Sequence, residues 1–158
     1  MSSYVEKLDS GFLAHFSRRL AEVIIEQGSE IVQAHGITTP ITAISTIFFL
    51  TDTGSVTVAE LAEALGVTHQ MTTQRVNSLE KLGLIYRKPN PQDKRAKTIH
   101  LTKLGMTEEK LLRPIMRDIN LIFDQLNKEV GCELMSKIRQ AELALVEKSL
   151  VKRLNELD

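Results

Sequence analysis

Five polar side chains, His69, Gln70, Thr73, Gln74 and Asn77, fall at helical spacing in a stretch whose apolar-facing positions are Thr72, Val76 and Leu79. Wound as a helix, the stretch turns the two sets to opposite sides. Gln and Asn can form paired hydrogen bonds with adenine, and Thr can touch a thymine methyl or a phosphate, so this face carries the chemistry of base reading. The residues that follow add charge in the form of Arg87, Lys88, Lys94, Arg95 and Lys97. Residues 67–103 hold eight cations against two carboxylates, a net charge of +6, while the rest of the chain holds 12 against 18, or −6. The zero total therefore hides one basic face, the footprint expected of phosphate binding.

Other chemistries find little support. His15, His35, His69 and His100 fall in different expected elements with no i, i+4 pair, so metal-ligand spacing is absent and no cofactor is expected. There is no Gly-rich phosphate loop, nucleophile elbow or clustered carboxylate pair, and the chain is not expected to be an enzyme. Cys132 is the single cysteine, which excludes an intramolecular disulfide and fits a reducing compartment. Its neighbours Val130, Gly131 and Glu133 offer no cation to activate it. The longest apolar run, Ile47 to Leu50, is far short of a membrane span. Glu6 and Asp9 stand where a signal peptide would be basic and then apolar. A cytoplasmic location with no membrane partner is expected.

The elements that must position these residues can be read from caps and periodicity. Phe12, Leu13, Phe16, Leu20, Val23 and Ile24 form the stripe of an amphipathic helix from Leu8 to about Ala34, stopped at His35-Gly36. Thr39 and Pro40 predict the cap and first position of a second helix, Ile41 to about Thr51. Thr57 and Glu60 have capping-box spacing and open a short helix bearing Leu61 and Leu65. Gly66-Val67-Thr68 turns the chain into the polar-faced helix, which ends at Leu82-Gly83. Two strands, Leu84–Lys88 and Thr98–Leu101, then predict a hairpin with an exposed basic loop. After Thr102 two long helices are expected, the second running on to Leu154.

A short helix, a glycine-containing turn, a second helix and a basic hairpin make a winged helix-turn-helix. The stretch from Val58 to Gly105 resembles the MarR family of bacterial regulators. The matching residues are Leu61, Leu65-Gly66, the run Leu79-Glu80-Lys81-Leu82-Gly83-Leu84-Ile85, Arg87, Asp93-Lys94-Arg95 and Leu101-Thr102-Lys103-Leu104-Gly105. Asp-x-Arg followed by Leu-Thr-x-x-Gly is the most specific part. Two positions depart from the pattern: Gln74 stands where arginine is frequent, and Arg75 where a leucine often packs.

The resemblance implies a mainly α (α+β) fold in a single domain over residues 1–158. Residues 37–103 would form the winged helix-turn-helix, and the long flanking helices in 1–36 and 104–158 a dimerisation region. It implies a homodimer on pseudo-palindromic double-stranded promoter DNA, acting as a repressor, with Arg95 entering the minor groove and Asp93 orienting the wing. Arg87, Lys88, Lys94 and Lys97 would carry salt-dependent phosphate binding. The apolar stripes outside residues 57–103 exceed what one winged domain can bury, which favours a dimer. The resemblance further implies release by a small aromatic or phenolic ligand, for which Phe12, His15, Phe16, Phe48 and Phe49 are the candidate lining. The alternative is a winged-helix protein-interaction module without specific DNA binding, motivated by Gln74, Arg75 and the neutral total charge.

Overall fold

The computed structural model of the chain describes residues 4–91, 93 and 96–157. Short 3₁₀ turns at Tyr4–Lys7 and Ser10–Phe12 lead into α1 (Leu13–Ala34), and a third at Ile41–Ala43 leads into α2 (Ile44–Thr53). There follow β1 (Val56–Thr57), α3 (Val58–Leu65), α4 (His69–Lys81), β2 (Ile85–Pro89), β3 (Lys97–Leu101), α5 (Lys103–Val130), α6 (Leu134–Glu147) and α7 (Leu150–Leu154). The fold is mainly α with one small antiparallel sheet, a winged helix. The chain forms two compact units, Met1–Ile115 and Met116–Asp158, with the boundary inside α5.

Local capping sets the limits of the winged elements. Thr57 Oγ1 accepts from the Glu60 amide at 3.2 Å, and the Glu60 carboxylate accepts from the Thr57 amide at 2.7 Å. This is the reciprocal box that the spacing predicts. Gly66 closes α3 at φ +61°, a conformation that costs glycine least. Thr68 Oγ1 then accepts from the Met71 amide at 3.2 Å and opens α4.

The sheet has the order β1-β3-β2, and its register pairs Ile85 with Leu101, Tyr86 with His100 and Arg87 with Ile99. Ile85, Ile99 and Leu101 point inward and join Ile47, Leu50, Leu61, Val76, Leu79, Leu84 and Leu112 in the core of the first unit. The two residues of β1 were not anticipated. A strand that short has no period to detect, and its pairing with β3 is tertiary.

The Leu-Thr-x-x-Gly motif has a mechanical explanation. Thr102 Oγ1 donates to the Gly83 carbonyl at 2.7 Å and accepts from the Gly105 amide at 3.1 Å, tying the end of the hairpin to the start of α5. A Cβ on Gly105 would overlap the Leu84 carbonyl oxygen, so the helix can approach that backbone only as glycine.

Three sequence expectations need correction. The first helix begins at Leu13 rather than Leu8, because Asp9 caps a separate 3₁₀ turn through the Gly11 amide. Thr39 does not cap α2; its hydroxyl and amide both donate to Glu108, 69 residues away, and the chain enters α2 through the Ile41–Ala43 turn. The last helix is not continuous to Leu154. Lys148 adopts an extended conformation, and Ser149 Oγ accepts from the Lys152 amide to start α7.

In the second unit Asn127 organises the turn from α5 to α6. Its side-chain amide donates to Glu133 at 3.0 Å, and its oxygen accepts from the Leu134 amide at 3.1 Å. Cys132 lies half-buried in this turn.

Candidate nucleic-acid interface

α4 buries Thr72, Val76 and Leu79 and leaves His69, Gln70, Gln74 and Asn77 exposed, with Thr73 half-exposed beside them. The polar face read from the sequence is therefore a real surface. Its members are not equally free. Thr73 Oγ1 donates to the His69 carbonyl at 2.8 Å, which leaves the hydroxyl its acceptor role.

Arg87 reaches across to this helix. Strand alternation puts it on the face of Ile85, toward α4, where it donates to Glu80 at 2.7 Å and to Asn77 Oδ1 at 2.6 Å. Strand and helix are thus joined by a charge-assisted pair. The arginine is already partnered by a carboxylate, and Asn77 is oriented with its oxygen toward the strand. Sequence reasoning nominated Arg87 and Asn77 separately and overlooked Glu80. The usable signal was parity, since Arg87 is two residues from the buried Ile85.

The outer face of the sheet is different. Tyr86 and His100 stack with centroids 5.2 Å apart, and Lys88 Nζ lies 5.2 Å from the Tyr86 centroid. His100 Nε2 is 2.8 Å from Thr98 Oγ1. Partial burial, and secondarily the Lys88 charge, push the imidazole below its ordinary pKa. Lys97 is exposed at the start of β3. In the hairpin loop the Asn90 amide donates to the Ala96 carbonyl and the Ala96 amide to the Asp93 carbonyl, both at 3.0 Å. Lys94 and Arg95 lie outside the described residues.

On the flank of α4 away from Glu80 is a cleft of about 270 Å³ lined by Pro40, Thr42, Ala43, Met71, Gln74, Arg75 and Ser78. A second cleft of about 360 Å³ runs between the end of α2, the sheet and the start of α5, with Tyr86, His100, Met106 and Lys110 in its wall. The expected effector residues are not gathered around either. His15 and Phe16 meet edge to face at 5.6 Å on α1, where Phe12 and Phe16 are exposed. Phe48 lies under the Arg113 guanidinium at 5.2 Å, and Phe49 is half-buried on α2. Among the described residues no group of three His, Cys, Asp or Glu could hold a metal, and no helix is long and apolar enough to cross a membrane.

Residues 35–96, which hold the helix-turn-helix and the first strand and loop of the hairpin, match the MarR family. This segment is therefore similar to the MarR family, within a winged-helix fold. Members of the MarR family are transcription regulators rather than enzymes. Over 140 residues the chain is 26% identical to YsmB of Bacillus subtilis, an uncharacterised HTH-type transcriptional regulator, covering 89% of this chain and 87% of the relative. Its fold is similar to that of the Mycobacterium tuberculosis regulator MosR in a DNA complex, with TM-score 0.67, 21% identity, and 86% and 96% of the two chains covered. It is likewise similar to MepR of Staphylococcus aureus in a DNA complex, with TM-score 0.61, 21% identity, and 90% and 99% covered. The MarR-family match and these likenesses agree with the helix order and the wing described above.

Proposed function

We propose that the protein is a homodimeric transcriptional repressor of the MarR family that binds pseudo-palindromic double-stranded DNA in the cytoplasm. The observation that carries the reading is the exposed polar face of α4 beside a basic hairpin. Gln70, Thr73, Gln74 and Asn77 enter the major groove, while Lys88, Lys97, Lys94 and Arg95 engage the phosphates and minor groove flanking it. That MosR and MepR have structures in complex with DNA supports the same reading.

The dimer is supported by unburied apolar surface. On α1, Leu13, Leu20, Val23 and Ile24 are 36–65% exposed, and in the second unit Leu121, Ile122, Leu143 and Val146 are 51–85% exposed. Such continuous apolar faces on a soluble chain are the kind a second copy covers. The resemblance extends the proposal to a small aromatic effector that loosens the DNA.

Selection of bound sequences from random DNA, with sedimentation of the recovered complex, tests the reading. The expected product is an inverted repeat bound by two chains, with half-sites about one helical turn apart. Failure to enrich any sequence, together with capture of a stoichiometric protein partner resistant to nuclease, would support a protein-interaction module instead. Titrating phenolic carboxylates into the preformed complex tests the effector, and undiminished binding at millimolar ligand removes it.

A further inference from the structure

We infer that Arg75 and the cleft between the Pro40–Ala43 segment and α4 seat a backbone phosphate of the bound DNA. The inference rests on the DNA-binding reading above and assigns a role to a residue that reading leaves out.

The geometry of α4 gives the first argument. At 100° per residue, Gln70, Thr73 and Asn77 lie along the outward face, Glu80 lies on one flank, and Met71, Arg75 and Ser78 lie on the other. A helix in the major groove has a sugar-phosphate backbone on each side. The first flank is occupied by the Glu80–Arg87 pair, whose carboxylate already neutralises the guanidinium. The second flank is open, and its cleft of about 270 Å³ has room for a phosphate group.

Charge gives the second argument. Among the described residues Arg75 has no ion pair or hydrogen bond from its side chain, although it is half-buried between the helix and the Pro40–Ala43 segment. A guanidinium in a partly apolar cleft gains from an anion that takes its paired donors. Thr42 and Ser78 line the same cleft, and among the described residues neither hydroxyl is engaged elsewhere in the protein. Gln74 adds an amide donor at the rim. One cation and three neutral donors around a small cleft suit a phosphate better than a base edge. The positive charge missing from position 74 is thereby supplied one residue away, from the side of the helix.

The test uses the full chain and the DNA sequence that it selects. Affinity is measured by fluorescence anisotropy between 50 and 200 mM salt for the wild type, Arg75→Gln, Arg75→Lys, Arg75→Met and, as a control in α6, Arg139→Gln. Losing one phosphate contact lowers the salt slope by about 0.9. Arg75→Gln should therefore lose about three- to fourfold less affinity than the wild type over this salt range, with its preferred sequence unchanged. Arg75→Met, which keeps an aliphatic stem in the cleft, should behave like the Gln variant; Arg75→Lys and Arg139→Gln should keep the wild-type slope. A wild-type slope in both Arg75→Gln and Arg75→Met, or a changed preferred sequence at constant slope, overturns the inference and leaves DNA binding standing. Absence of wild-type binding overturns both.

Discussion

Replacing Glu108 by Gln tests how α5 is fastened to the loop before α2. Glu108 is 5% exposed, yet its carboxylate is ionised among four donors. One oxygen accepts from the Thr38 amide at 3.0 Å and hydroxyl at 2.6 Å, the other from the Thr39 amide at 2.8 Å and hydroxyl at 2.5 Å. Burial pushes the carboxyl pKa up, but the four hydrogen bonds together outweigh it and hold the group below its ordinary 4.5. Gln offers the same shape with one acceptor, so its NH₂ meets one of the two backbone amides donor to donor. An unsatisfied buried donor costs about 1–3 kcal/mol, and turning the remaining charge-assisted bonds into neutral ones adds about 1 kcal/mol. The expected loss is about 2–4 kcal/mol, or roughly 4–16 °C in melting temperature for a chain of this size.

The assay is thermal unfolding followed by circular dichroism from pH 7 down to pH 3. A carboxylate whose folded pKa is depressed contributes stability that is complete above the unfolded pKa and disappears as pH falls through the folded one. The gap between wild type and Glu108→Gln should accordingly be full at pH 7 and close below about pH 4.5. A variant that melts within 1 °C of the wild type at pH 7, or a gap that does not change with pH, would refute the clamp.

Three further outcomes are expected. Gly105→Ala should destabilise the fold by about 3 kcal/mol or more, because the new methyl meets the Leu84 carbonyl oxygen rather than a flexible side chain; denaturant unfolding would show it, and a stability equal to wild type would contradict the close approach. Glu80→Gln should free Arg87 from its carboxylate and steepen the salt dependence of DNA binding by up to about one charge, an effect that vanishes if Arg87 never reaches phosphate. For His100, nuclear magnetic resonance titration should give a midpoint below 6.5, since both burial and Lys88 disfavour the imidazolium. The wing then loses stability as pH falls below 6.5, and His100→Phe, which keeps the ring stack with Tyr86, should remove that loss. A His100 midpoint above 6.5 would reverse the sign.

Much of the winged segment was legible because its signals are local. Thr57 with Glu60, Gly66 and Thr68 each act within one turn of chain, and the capping bonds form between the residues that the spacing names. Where sequence reasoning failed, the deciding partner was distant. Thr39 looks like a cap, but a carboxylate 69 residues away takes both its donors. The break at Lys148 was hidden because Leu145, Leu150 and Leu154 continue an apolar helical pattern across it, while Ser149 caps a new helix.

The sequence by itself determined the helix-turn-helix, the hairpin and the polar face of α4, since hydrophobic period and capping chemistry are properties of neighbouring residues. It also showed a net positive charge confined to residues 67–103, with the rest of the chain net negative. Only the tertiary structure decided which cations of that segment are free to act. Strand parity carries Arg87 onto Glu80 and Asn77, whereas Arg75, passed over in the sequence as a DNA contact, lines an open cleft with no counter-ion among the described residues. Charge can be counted along a chain, but ion pairing depends on which side chains the fold brings within hydrogen-bonding distance.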